Sequence, residues 1–74
     1  MNKKLERVIN ELKKGCTLEI YSPSGIYCFI YLNKNEMKYY HQQLKSIVPF
    51  EWAIDFINEH INKGDTILYS LYKF

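Results

Sequence analysis

The first stretch of the chain repeats apolar positions with the period of an α-helix. Four apolar residues fall on one stripe: Leu5, Val8, Ile9 and Leu12. Their spacing makes them neighbours on one helix face. Asn2 is suited to cap this helix, and Gly15 is suited to end it in a left-handed conformation. The pattern therefore predicts a helix over residues 3–14.

A second stripe with the same period follows Pro49. It consists of Phe50, Ala53, Ile54, Ile57 and Ile61. Proline fits the first position of a helix and forces the preceding Val48 into an extended conformation. Gly64 follows the last apolar position and is expected to end the helix, so the pattern predicts a helix over residues 49–63.

Between these helices the apolar period changes to two residues, which is typical of β-strands. The predicted strands cover residues 17–21, 26–32 and 37–42, and a last strand covers residues 66–74. The order is α-β-β-β-α-β in a single domain over residues 1–74. We expect an α+β fold in two layers, with two helices packed on one face of an antiparallel three-strand meander and the last strand on an edge.

The length of the loop after Tyr21 decides which residues share a face of the sheet. A three-residue loop with a bulge places Ile20 opposite Cys28. A four-residue loop instead brings Ile20 opposite Tyr27 and mixes aliphatic and aromatic residues on each face. We therefore expect the shorter loop. The face toward the helices then contains Leu18, Ile20, Cys28, Ile30, Leu32, Met37, Tyr39 and His41.

The other face of the predicted meander is rich in aromatic residues. Its members are Thr17, Glu19, Tyr21, Tyr27, Phe29, Tyr31, Lys38, Tyr40 and Gln42. Soluble monomers seldom expose such a contiguous aromatic patch without a use for it. Three interpretations are open: a second part of the core, a protein interface, and a stacking platform for single-stranded nucleic acid. The last of these lacks the basic residues that phosphates require, because only Lys38 lies on the patch.

Three acidic residues follow one another at four-residue spacing along the second helix. They are Glu51, Asp55 and Glu59. Like charges at this spacing slightly destabilise a helix. The strip is either a plain solvated face or a docking strip for a basic partner, such as the first helix of a second copy.

Composition and charge narrow the classes of function. A chain of 74 residues supports one core, and its net charge of +2 is too small to indicate nucleic acid. The abundance of Lys, Ile, Tyr and Asn, which have AT-rich codons, indicates a low-GC bacterium or its phages. No apolar segment marks the chain for secretion or for crossing a membrane, so we expect a cytoplasmic protein with reduced cysteines.

Catalysis and metal binding have little support in the residues. Cys28 opposite His41 is a possible thiolate–imidazole pair, but no motif for an oxyanion hole accompanies it. The potential zinc ligands Cys16, Cys28, His41 and His60 are scattered singly. We expect no enzyme activity, no metal and no cofactor.

The order of a short amphipathic helix, a three-strand meander and a second helix resembles that of some small phage anti-CRISPR proteins. The acidic, DNA-mimicking members differ from this chain, whose net charge is positive. We therefore expect a non-enzymatic protein-binding module, an inhibitor of a host defence protein that acts through the aromatic face and the acidic strip. The partner is another protein or a second copy, with a homodimer slightly favoured because a single small core gives little stability.

The alternative is a small nucleic-acid-binding regulator that uses the basic first helix. Five cationic residues lie off its apolar stripe: Lys3, Lys4, Arg7, Lys13 and Lys14. Contacts of this kind with phosphates weaken steeply as salt rises, whereas an apolar interface is nearly indifferent to salt. A salt titration of binding therefore separates the two functions.

Overall fold

The computed structural model describes residues 2–74 and confirms an α+β fold with the predicted order of helices and strands. Its elements are α1 (Lys3–Lys13), β1 (Thr17–Ser22), β2 (Gly25–Asn33), β3 (Glu36–His41), β4 (Leu44–Pro49), α2 (Phe50–Asn62) and β5 (Thr66–Ser70). The meander before α2 contains one strand more than the three predicted, since β4 continues it directly into the second helix.

The five strands form one sheet in the order β4-β3-β2-β1-β5, and every neighbouring pair is antiparallel. The last strand lies on an edge, as predicted, and pairs with β1. It is shorter than expected because it ends at Ser70, and residues 71–74 leave the sheet. The other edge is β4.

Both helices begin and end close to the predicted residues. The Asn2 side chain accepts a hydrogen bond from the Lys4 backbone N–H at 2.7 Å, which caps α1. Gly15 has a φ of +106°, the left-handed conformation that allows the chain to leave this helix. Pro49 precedes the first residue of α2, as its fixed φ favours.

The register between β1 and β2 differs from the predicted one. Ile20 lies opposite Tyr27, so the expected three-residue loop is wrong. The register between β2 and β3 is also shifted by one residue, because Cys28 lies opposite Tyr40 and not His41. Together the two shifts invert β2 alone, while β1 and β3 keep their predicted faces.

The inversion has a physical reason in the composition of β2. Both sides of this strand are apolar, with Ile26, Cys28 and Ile30 on one side. The other side carries three aromatic rings, which hide more apolar area than aliphatic chains when the helices cover them. The observed register buries the side with the larger rings, those of Tyr27, Phe29 and Tyr31, toward the helices.

The core lies between the helices and the inner face of the sheet. Its fully buried large side chains include Val8, Leu12, Leu18, Ile20, Phe29, Met37 and Ile57. The opposite face, called the outer face below, is defined by Glu19, Tyr21, Ile26, Cys28, Lys38, Tyr40, Lys45, Ile47 and Leu68. The alternation of side chains along each strand places these residues together. Residues of both helices belong to the core cluster, so both helices cover the inner face of the sheet.

Candidate functional site

Three of the five predicted contact rings belong to the helix-covered side of the sheet. Phe29 is fully buried, and the Tyr27 ring packs edge-on against Phe56 with centroids 4.8 Å apart. Tyr31 meets Phe50 edge-on at 6.0 Å. The prediction of one contiguous exposed face that unites these rings with Tyr21 and Tyr40 is therefore wrong, because the one-residue shift of β2 turns its aromatic side inward.

The remaining aromatic residues of the predicted patch lie on the outer face together with Lys38. The Tyr21 hydroxyl donates a hydrogen bond to a Glu19 carboxylate oxygen at 3.0 Å. This hydrogen bond, with the negative charge of Glu19, raises the pKa of Tyr21. The Tyr40 ring lies 5.9 Å from the Lys45 ammonium nitrogen, a cation–π distance.

A row of directly opposed residues crosses all five strands on the outer face. It runs from Leu68 through Glu19, Cys28 and Tyr40 to Lys45. A carboxylate and an ammonium group therefore lie on either side of a centre formed by a thiol and a phenol ring. This is a surface with an apolar middle and charges of opposite sign toward its two ends.

Residues 71–74, called the strap below, lie across part of the outer face. The Thr17 hydroxyl donates a hydrogen bond to the Tyr72 carbonyl, and the Lys38 ammonium donates one to the main-chain oxygen of Phe74 at 2.5 Å. The Phe74 ring lies 5.2 Å from the Tyr40 ring, centroid to centroid. The sequence pattern predicts these residues as part of the last strand, so it gives no indication of this contact.

A cavity of about 260 Å³ lies between the strap and the sheet. Its lining residues are Thr17, Glu19, Ile26, Cys28, Tyr40, Lys45, Tyr72 and Phe74. Apolar walls with a few convergent polar groups are typical of binding sites, although this volume lies just below the usual range for whole ligands. It is large enough for one side chain of a partner.

The thiolate–imidazole pair considered from the sequence does not form. Cys28 lies on the outer face, whereas the His41 ring stacks on Tyr27 at 4.0 Å on the inner face. Burial, with a smaller contribution from the negative Glu19, raises the pKa of the Cys28 thiol. A nucleophilic cysteine requires the opposite shift. Among residues 2–74, no group of three His, Cys, Asp or Glu side chains is placed to hold a metal ion.

A hydrogen bond that the sequence did not suggest joins the end of α2 to the start of β5. His60 Nδ1 lies 2.6 Å from a carboxylate oxygen of Asp65. The His60 side chain is buried and packs against Phe56, with ring centroids 4.5 Å apart. The Asp65 backbone N–H also donates to the His60 carbonyl at 3.2 Å, so this contact fixes the turn after the helix.

The acidic strip of α2 lies on the helix side of the molecule. Glu51, Asp55 and Glu59 are all exposed, and Glu59 pairs with Lys63 at 3.4 Å. The outer face lies on the other side of the sheet. One flat partner surface therefore cannot contact this strip together with Tyr40.

The cationic residues of α1 and of its C-terminal cap are exposed as well. They are Lys3, Lys4, Arg7, Lys13 and Lys14. Two of them have partners within the chain, because Arg7 lies 5.9 Å from the centre of the Tyr69 ring and Lys14 lies 3.7 Å from Glu11. Exposed Glu6 lowers the positive charge of this surface further.

Two surfaces in the described part of the chain are thus open to a partner: the outer face of the sheet, and the charged exterior of the helices. Over residues 2–74, neither helix is long and apolar enough to cross a membrane. Comparisons of the chain with protein-family models, with curated proteins and with solved structures found no match.

Proposed function

We propose that this protein is a non-enzymatic protein-binding module and that its contact surface is the outer face. The observation that carries the proposal is the exposure of four large apolar side chains there. Their exposed fractions are 39% for Tyr21, 44% for Ile26, 61% for Ile47 and 48% for Leu68. Apolar residues grouped on one open face mark interaction sites in soluble proteins.

The polar residues of the outer face suit the orientation of a partner. Glu19 and Lys45 lie in the row that crosses the sheet, on either side of Cys28 and Tyr40. An apolar centre with charges around it is the usual organisation of a protein interface. Of the residues expected to bind, Tyr21, Lys38 and Tyr40 keep that role, whereas the buried Phe29 supports the sheet from within.

The proposal extends to an inhibitor of a host defence protein, encoded by a phage or another mobile element of a low-GC bacterium. Its support is the abundance of residues with AT-rich codons and the resemblance of the predicted element order to that of some small anti-CRISPR proteins. The fourth strand of the meander departs from that order. The partner is a host protein or a second copy of the chain. A cytoplasmic location belongs to the same proposal.

The test uses the full chain as bait in a lysate of a low-GC bacterium, with two charge-introducing variants for comparison. Leu68→Glu alters the outer face. Leu44→Glu is the matched control, because Leu44 is also exposed but belongs to the inner face of the edge strand β4. We expect the captured protein to be lost with Leu68→Glu and retained with Leu44→Glu, since a buried charge without a partner is costly.

Light scattering on the same variants measures self-association. A dimer of the native chain that dissociates in Leu68→Glu supports a second copy as the partner. A monomeric native chain that captures nothing, or capture that survives Leu68→Glu, overturns the proposal. Circular dichroism confirms that each variant is folded before its binding is compared.

Binding of nucleic acid through α1 is the second candidate. The observation that favours it is the exposure of all five cationic residues of this segment, including Lys13 and Lys14. The test measures binding to single-stranded and double-stranded DNA over a range of salt concentrations. We expect a steep loss of affinity with salt for this function, and no such dependence if the outer face binds an apolar protein surface.

A further inference from the structure

The strap shows how the outer face accommodates an extended peptide. Thr17 and Lys38 both donate hydrogen bonds to main-chain oxygens of the strap, at Tyr72 and Phe74. Every peptide has main-chain oxygens, so neither hydrogen bond depends on the side chains of residues 71–74. The two donors are therefore able to hold an extended segment of another sequence in the same position.

Among the four residues of the strap, only Phe74 is half-buried. The Phe74 ring packs against Tyr40 and lies 5.4 Å from the Lys38 ammonium nitrogen. The other three residues of the strap are exposed, and Leu71 is 86% exposed. A segment with few buried apolar contacts opens at low free-energy cost, so the strap is readily displaced.

The surface around the anchored ring is positively charged on balance. Lys38 contacts Phe74, Lys45 lines the same cavity, and Glu19 is the one carboxylate among the lining side chains. Lys73, the residue before Phe74, is exposed and provides no negative side chain for these cations. An acidic residue at that position is attracted by them, and such complementarity selects between partners.

From these contacts we infer that the strap is an intramolecular occupant of a peptide groove, which a partner protein displaces with its own segment. That segment is extended and acidic, and it places an aromatic side chain against Tyr40. The inference rests on the proposed function, since it specifies what the outer face binds. It also explains the size of the cavity, which admits one side chain next to Cys28.

The test uses Cys28 as a reporter, because its thiol lines the cavity that the strap covers. Replacing Cys16 by serine leaves Cys28 as the single thiol, and its alkylation rate is measured by mass spectrometry. We expect Phe74→Ala to accelerate alkylation several-fold. Leu71→Ala is the matched control in the same segment and is expected to leave the rate unchanged.

Three pentapeptides are then added to the Cys16→Ser, Phe74→Ala protein. The first, Ser-Leu-Tyr-Lys-Phe, copies residues 70–74. The second has glutamate in place of its lysine, and the third has glutamate there and alanine in place of its phenylalanine. We expect the second to protect Cys28 best, with an affinity up to about fivefold above the first, and the third to give no protection. Adding Lys38→Met is expected to reduce protection by the second peptide.

Failure of the glutamate–phenylalanine peptide to protect Cys28 overturns the inference, provided that unfolding in urea shows the variant to be folded. Equal protection by the alanine peptide overturns it as well, because the aromatic anchor is then irrelevant. Neither result affects capture of a partner by the full chain. If Leu68→Glu still abolishes that capture, the outer face binds its partner without displacing the strap.

Discussion

Ser22 and Gly25 lie directly opposite each other at the end of the β1–β2 hairpin, so only Pro23 and Ser24 connect the two strands. The Ser22 hydroxyl stabilises this turn, because its oxygen accepts a hydrogen bond from the Ser24 backbone N–H at 3.2 Å and its O–H donates one to the Gly25 carbonyl at 3.0 Å. This opposition sets the register of β2. It therefore decides that Phe29 lies inside the molecule and that Cys28 lies on the outer face.

Gly25 is the residue of this turn that is least tolerant of a side chain. Its φ is +116°, and an added Cβ would lie 3.2 Å from His41 Cε1. We expect Gly25→Ala to lower the free energy of unfolding by more than about 1 kcal/mol, measured by urea titration. Gly15→Ala is the control, because Gly15 has a similar φ of +106° but no atom within 4 Å of an added Cβ. Equal losses in the two variants would show that the His41 contact has no effect.

Two residues of β2 that lie on opposite faces of the sheet are expected to differ sharply in their effect on stability. Phe29 is fully buried among core side chains, so Phe29→Ala should cost about 3–5 kcal/mol or prevent folding of so small a domain. Ile26 is on the outer face, and Ile26→Ala should cost less than about 1 kcal/mol. Urea unfolding followed by circular dichroism measures both. A larger loss at Ile26 would instead favour the register with the three-residue loop.

The helices could be predicted from the sequence because their signals are local. The apolar stripe of α1 needs only a few neighbouring residues to be recognised, and Leu5, Val8 and Leu12 are buried as that stripe implies. Its ends are specified by Asn2 and Gly15, whose chemistry acts within one helical turn.

The faces of β2 could not be predicted in the same way, because both sides of this strand are apolar. The choice depends on the volume beneath α2, where Phe56 packs against Tyr27 and Phe29. Strand β4 could not be predicted from the sequence for a different reason. It is an exposed edge, and the turn before it places Gln42 and Gln43 at φ values of 49° and 69°, a conformation usually indicated by glycine or asparagine.

The outer-face site could not be predicted from the sequence, for the same reason as the faces of β2. The sequence pattern predicts Cys28 in the core, so it predicts no cavity around this residue. It also predicts the strap as part of a strand, because residues 71–74 continue the apolar character of that strand. Both features depend on contacts between residues far apart in the chain, such as Thr17 with Tyr72 and Lys38 with Phe74.

The reactivity of Cys28 should depend on pH in a way that reflects its surroundings. Burial and the negative Glu19 raise the pKa of this thiol, so the folded protein keeps it protonated to higher pH than the unfolded chain does. In the Cys16→Ser variant, we expect the midpoint of the alkylation rate against pH to fall when the chain is unfolded in urea. Glu19→Gln should lower the midpoint in the folded protein.

The raised pKa of Cys28 also makes the stability of the fold depend on pH. A thiol whose pKa is raised on folding stabilises the folded state fully below its unfolded pKa, and this contribution is lost as pH rises through the folded pKa. Replacing Cys28 by serine removes the ionisation. The free energy of unfolding of the Cys16→Ser, Cys28→Ser protein should therefore decline less over the alkaline range than that of the Cys16→Ser protein, which retains Cys28.

The contact between His60 and Asp65 should stabilise the fold through a hydrogen bond. An ionised carboxylate only accepts, so His60 Nδ1 donates to Asp65 across the 2.6 Å between them. Asp65→Ala leaves this buried ring nitrogen without a partner and should lower the free energy of unfolding by about 1–3 kcal/mol. Asp65→Asn keeps an amide oxygen that can accept the same proton, so its loss should be smaller. Equal losses in urea titrations of the two variants would mean that the negative charge of Asp65, and not its hydrogen bond, joins α2 to β5.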